Sequence, residues 1–262
     1  MLRGLVTALR TLTILPVPGR DAQRLAAALP WFPLVGAALG AALWGTALGV
    51  DRLARGWPEG AAAAAVVLGA FLTRGLHLDG LADWADGFGG GRDRESTLRI
   101  MKDPHVGSFG VIAVAAALLA KFAAVTMLVR CGAAAWIIAA LVASRAATAS
   151  LAASHPYARS EGGKAGDFIG PRPVHRLLAL VAAAALIVAG FGLLGLAALG
   201  AAVIVELAFG LWCLRRVGGV TGDLLGACAE LTETAVLFAA AIWAGYALAT
   251  GQKLPWPFGE VF

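Results

Sequence analysis

An all-α bundle crossing a membrane about seven times, led by an amphipathic N-terminal segment, is the architecture to expect of these 262 residues. Three observations lead there. The chain is 60% hydrophobic and only 14% charged, whereas a soluble domain is about a quarter charged; so few charges cannot cover a water-facing surface. The apolar residues come in long runs rather than at amphipathic spacing. Small residues dominate those runs, which permits close helix packing without polar glue.

Residues 1–18 carry Arg3 and Arg10 around a short apolar stretch. Arg10 interrupts that stretch and no small-x-small cleavage site follows, so it reads as a retained segment lying at the membrane face rather than a signal peptide. A crossing takes about 20 mostly apolar residues. Candidate spans are 31–50, 60–78, 108–129, 132–153, 177–194, 196–214 and 231–250, the fifth and sixth being one tract split at its glycine-rich stretch 190–195. No internal repeat and no second domain boundary is visible, so residues 1–262 read as one domain. Cys131, Cys213 and Cys228 lack metal-ligand spacing and read as small core hydrophobes.

With the N-terminus cytoplasmic, 14 of the 21 Lys and Arg residues fall on the cytoplasmic side, and only Arg52, Arg55, Arg130 and Lys253 fall opposite. The positive-inside rule therefore selects that orientation, in a bacterial inner membrane. The net charge of +5 follows from this bias, and no basic–aromatic stripe suggests nucleic acid. The same orientation puts segments 79–107, 154–176 and 215–230, which hold nearly all the remaining polar chemistry, on one side. Scattered solvated loops need not share a side; one composite site would.

The densest cluster is Asp79, Asp83 and Asp86. In a helix they sit at i, i+4 and i+7, so three carboxylates share one face among apolar neighbours. Like charges so placed repel, and a divalent cation removes the repulsion; hard oxygens suit Mg²⁺ or Mn²⁺. The bland alternative is a solvated acidic helix end. His77 would point away and has either a structural or a catalytic reading. Next, Gly89, Gly90 and Gly91 lead into Arg92, Asp93, Arg94 and Glu95. A glycine turn followed by arginines can hold phosphate, although alone it would read as a connector; Arg99, Lys102 and Asp103 extend its polar character. Thr221, Asp223, Glu230 and Glu233 enter the last hydrophobic helix, where acids mark a site by default, the alternative being a capping Asp with interfacial glutamates. Lys121 and Arg145 lie mid-span and should face the bundle interior, paired with an acid or a ligand, pairing being favoured over direct substrate contact. The glycine-rich loop 162–170 could fold over a bound substrate.

At these residues the chain resembles the cobalamin synthase (adenosylcobinamide-GDP ribazoletransferase) family, nearly end to end. The shared pattern includes Leu15 to Pro18, Phe32 to Gly36, His77 with Asp79 and Asp83, Arg92 to Glu95, Ile100 to Asp103, Phe168 to Gly170, and Thr221, Gly222 and Asp223 with Gly226, Glu230 and Glu233. Trp84 departs from the pattern, where a small residue is usual, and so does Pro104-His105, where Ser-Arg is common. The resemblance implies an enzyme in which α-ribazole, or its 5′-phosphate, displaces GMP from adenosylcobinamide-GDP with Mg²⁺, giving adenosylcobalamin or its 5′-phosphate. It implies Asp79, Asp83, Asp86 and Asp223 at the metal. Substrate or phosphate contacts would come from Arg92, Arg94, Lys102, Asp103, Thr221 and Glu233. The catalytic group would be Asp83, Asp86 and Glu230, with Glu230 or an aspartate as general base. Self-association or docking of other cobalamin-pathway enzymes stays open. A CDP-alcohol phosphotransferase acting on lipids is the rival enzyme, because Asp83, Asp86 and Gly87 match part of that family's motif; its later paired aspartates are missing.

Overall fold

The structure, a computed structural model, describes residues 2–159, 161–163 and 165–252; Lys164 and Lys253, both counted for orientation, lie outside them. The described residues hold ten α-helices: α1 Leu2–Leu12, α2 Phe32–Leu53, α3 Pro58–Leu72, α4 Leu76–Gly90, α5 Arg94–Ile100, α6 Ser108–Arg130, α7 Trp136–Ala152, α8 Pro173–Phe191, α9 Leu196–Val217 and α10 Gly222–Thr250. The one β-type pairing among them is an isolated bridge between Tyr157 and Val220.

α1 is amphipathic as expected. It buries Gly4, Thr7, Ala8 and Leu12, positions three or four apart on one face. Arg10 stands on the other side and ties the following turn down through the carbonyls of Val17 and Gly19 and the carboxylate of Asp21, at 2.9 Å.

Five helical stretches are long and apolar enough to cross a membrane: Leu25–Leu53, Ser108–Arg130, Pro173–Phe191, Leu193–Val217 and Gly222–Thr250. With α3 and α4 taken together as one bent span the count reaches six, and α7 adds a shorter apolar helix, roughly in line with the expected seven or so. The candidate at 60–78 is broken: α3 stops at Leu72, and α4 departs at 85°. Arg74 and Gly75, with φ of 55° and 66°, make the corner. That left-handed conformation ends a right-handed helix, and it is costly for Arg74. The candidate at 132–153 shortens to the 17 residues of α7 because its first residues form a turn at Gly132.

α7 is the hub. All its residues except Ile138 are buried, and it packs against α2, α8, α9 and α10. Its alanines and serines leave room for neighbouring backbones. On the α2 side, Gly36 and Gly40 form a small-xxx-small pair. A Cβ on Gly36 would stand 2.5 Å from the Leu141 carbonyl oxygen, and one on Gly40 2.7 Å from the Ile138 Cα. Close backbone contact of this kind holds helices together where lipid supplies no hydrophobic drive. The outer faces of α6, α8 and α9 carry exposed Ile112, Leu119, Leu177, Val181, Ile204 and Leu207, an apolar coat suited to acyl chains.

Because the nearest group to Gly36 is the Leu141 backbone carbonyl, which cannot swing aside, Gly36→Leu should separate α2 from α7. Thermal unfolding in detergent should show a loss of about 3 kcal/mol or more, whereas Gly45→Leu, in open space, should be neutral.

Candidate active site

The corner at Arg74 and Gly75 turns α4 across the bundle, and glycine then lets it touch the start of α10. A Cβ on Gly80 would lie 2.5 Å from the carbonyl oxygen of Asp223, and one on Gly226 would lie 3.3 Å from the His77 Cα. The two acidic motifs, more than 130 residues apart in the chain, are thus in backbone contact. Asp83 is half-buried and lies within electrostatic reach of Asp79, Asp86, Asp223 and Arg159. Asp79 is exposed. Arg159 donates to Asp223 Oδ2 at 2.7 Å.

The three polar connecting segments converge here. Residues around Tyr157 and Val220 pair through two backbone bonds, Ala158 N–H to the Val220 carbonyl at 3.0 Å and Val220 N–H to the Pro156 carbonyl at 2.9 Å. Arg94 joins both strips to α5, donating from Nε to the Val217 carbonyl and from Nη2 to the Ala158 carbonyl, each at 2.8 Å. Asp93 caps α5: its carboxylate accepts from the Ser96 N–H at 2.8 Å, which holds its carboxyl below the usual carboxylate range. Arg216 reaches the Gly91 carbonyl. Together these segments wall a polar cavity of about 590 Å³, lined by Arg94, Glu95, Arg99, Lys102, Arg159 and Glu161. Four cations against two acids leave it positive, a setting for an anion. Lys102 spans one edge to Glu161 at 2.6 Å, which keeps the Glu161 carboxyl below its ordinary range.

Several expected site residues have other partners. Asp86 accepts the Gly107 N–H at 2.7 Å and the Gly110 N–H at 2.9 Å. Both of its oxygens cap the otherwise unpaired first turn of α6, which gives it a structural role beside the metal role expected of it. Thr221 is buried and caps α10, accepting from the Leu224 N–H at 3.3 Å. Asp103 folds onto its own turn, accepting from the His105 N–H at 2.9 Å. Arg94 braces carbonyls with two of its donors, and Arg92 is exposed. Glu230 and Glu233 lie about 10 and 15 Å beyond Asp223 along α10, buried inside the bundle. There Lys121 Nζ stands 2.6 Å from a carboxylate oxygen of each, and Arg145 Nη1 stands 3.3 Å from Glu233. Two cations facing two acids satisfy the expectation that Lys121 and Arg145 face inward. Glu230, expected as base, and Glu233, expected as substrate contact, are thus each already faced by a cation. His77 is buried nearby, its Nδ1 unpartnered among the described residues.

Asp79, Asp83 and Asp223 remain as carboxylates for a divalent ion. Among the described residues no three His, Cys, Asp or Glu side chains converge tightly enough to enclose one. Sequence reasoning missed Arg159 as a site residue. It stood in a polar loop with no motif around it, and only the pairing of Tyr157 with Val220 brings it to Asp223. Trp84, the departure from the family pattern, packs edge-on against Phe209 and Trp212 of α9 at centroid distances of 5.7 and 5.5 Å, so the larger side chain fastens α4 to its neighbour.

Fold and site together define a multi-pass α-helical membrane protein with a composite acidic and basic centre at one end of the bundle. The cobalamin-5-phosphate synthase (CobS) family pattern matches residues 4–241, and the chain belongs to that family. Curated relatives named adenosylcobinamide-GDP ribazoletransferase include one from Chlorobaculum parvum, 50% identical over 93% of this chain and 96% of its own. Another, from Chlorobaculum tepidum, is 49% identical over the same shares. A more distant one, from Syntrophobacter fumaroxidans, is 42% identical over 90% of this chain and 96% of its own. No solved structure matches. Family membership decides against the CDP-alcohol phosphotransferase reading.

Glu233→Gln should leave a buried cation short of charge and cost about 3–5 kcal/mol in detergent unfolding. Removing one charge of each sign, in Lys121→Met with Glu230→Gln, should cost less than the two single changes summed.

Proposed function

We propose that this chain is an adenosylcobinamide-GDP ribazoletransferase, carrying out the nucleotide-loop assembly step of cobalamin biosynthesis. The ribose hydroxyl of α-ribazole, or of its 5′-phosphate, attacks the phosphorus on the cobinamide side of the diphosphate. A new P–O ester forms, the diphosphate P–O bond breaks, GMP departs, and the hydroxyl proton is released. The observation that carries this reading is the Gly80–Asp223 contact, which sets Asp79, Asp83 and Asp223 beside a basic cavity in a chain whose relatives bear this name.

Phosphoryl transfer is mostly positioning and charge stabilisation. Arg99, Lys102 and Arg159, with whatever donors of Arg94 its two carbonyl bonds leave free, supply positive charge for the diphosphate and the departing GMP. Asp79 and Asp83 would hold Mg²⁺, with Asp223 kept alongside by Arg159; the ion would neutralise the phosphate oxygens. With Glu230 paired to Lys121, Asp79 or Asp83 would have to take the hydroxyl proton as well as help to hold the ion. The centre would face the cytoplasm of a bacterial inner membrane, following the distribution of Lys and Arg.

Purified chain should release GMP from adenosylcobinamide-GDP plus α-ribazole when Mg²⁺ is supplied. Asp83→Asn should lower turnover by at least about 100-fold with unfolding unchanged; near-normal turnover would remove Asp83 from the mechanism. Asp86→Asn should do the reverse, since an amide keeps one acceptor for two N–H donors: a lower melting temperature, with most turnover retained in the fraction that stays folded.

A further inference from the structure

A large cavity lies away from the acidic centre. It is a groove of about 900 Å³ between α1, the turn Leu25–Trp31 and α8. Its lining combines basic groups with hydrocarbon. Arg3, Arg24 and His175 supply the basic part. From there Leu178, Ala182 and Leu186 run down one stripe of α8 at four-residue spacing, about 16 Å from His175 to Leu186. Trp31, an aromatic of the kind that settles at the headgroup level, lies in the wall.

The two arginines are the telling part. Arg10, on the same short helix as Arg3, is fully engaged with Asp21 and two carbonyls. Arg3 and Arg24 are exposed, and neither pairs with an acid among the described residues. Two unneutralised guanidiniums beside an apolar trough match a molecule with an anionic head and a hydrocarbon tail. Basic pockets at helix ends recognise anionic lipid heads in this way. A free phosphate would satisfy the arginines and leave the trough empty. We propose that this groove seats one anionic phospholipid, its headgroup on Arg3 and Arg24 and one acyl chain along α8. The lipid would thereby clamp the N-terminal helix against the bundle.

The test is native mass spectrometry of the full chain in detergent, titrated with phosphatidylglycerol and phosphatidylcholine of identical acyl chains. Wild type should bind the first phosphatidylglycerol at least about tenfold more tightly than phosphatidylcholine. Arg3→Gln with Arg24→Gln should abolish that preference, and Arg215→Gln, an exposed arginine outside the groove, should keep it. Leu178→Trp, which fills the trough and spares the arginines, should weaken phosphatidylglycerol binding as well. The proposal is overturned if the double variant keeps the preference, if Arg215→Gln loses it equally, if Leu178→Trp has no effect, or if inorganic phosphate displaces the lipid at equal concentration.

Discussion

Backbone contact between α4 and α10 is the constraint on which the polar end depends. With hydrogen at the Cα of Gly80 and of Gly226, the two helices approach until Gly80 meets the Asp223 carbonyl. That approach sets the separation of their carboxylates. Any side chain at Gly80 would push α4 away from Asp223 and loosen the group around Asp83. The remaining features keep this contact in place. Trp84 and Phe88 fasten the far side of α4 to Trp212 of α9. Asp86 ties α4 to the start of α6, and Arg94 gathers the connectors.

Deeper in the bundle, a second set of charges acts on the same helix. Lys121 from α6, Arg145 from α7 and the two glutamates of α10 are nearly solvent-free. Buried charges are expensive in a low-dielectric interior, and they are tolerated here because each has an opposite partner. Such a cluster is poor at adding stability but good at rejecting alternatives. A rotation or slide of α10 would strand two cations, so the register that places Asp223 against Gly80 is also the register that closes the charges.

Much of this was legible in the chain itself. Long apolar runs announced a helical membrane bundle, and the lysine and arginine bias gathered three polar segments on one side. The inward pairing of Lys121 and Arg145 followed from the cost of an unpaired charge. Other features were hidden for physical reasons. The corner at Arg74 and Gly75 interrupts an apolar run without changing its composition, so hydropathy reads straight through it. Asp86 looks identical to Asp79 and Asp83 on a helical wheel; only the fold reveals that Gly107 and Gly110 meet it. Glu230 and Glu233 share a helix with Asp223, but seven or ten residues of rise carry them out of its reach. Arg159 lacked any local pattern and needed the Tyr157–Val220 pairing to find its partner.

The bend after α3 has a last consequence for the shape of the molecule. A straight continuation from Leu72 would carry Asp86 about 20 Å outward, away from every other helix. Laid sideways, the same residues run along the bundle instead, with Gly80 against α10 and Asp86 against the start of α6. A chain with no separate soluble domain among its described residues thereby gathers its polar groups on a helix that would otherwise have continued a span.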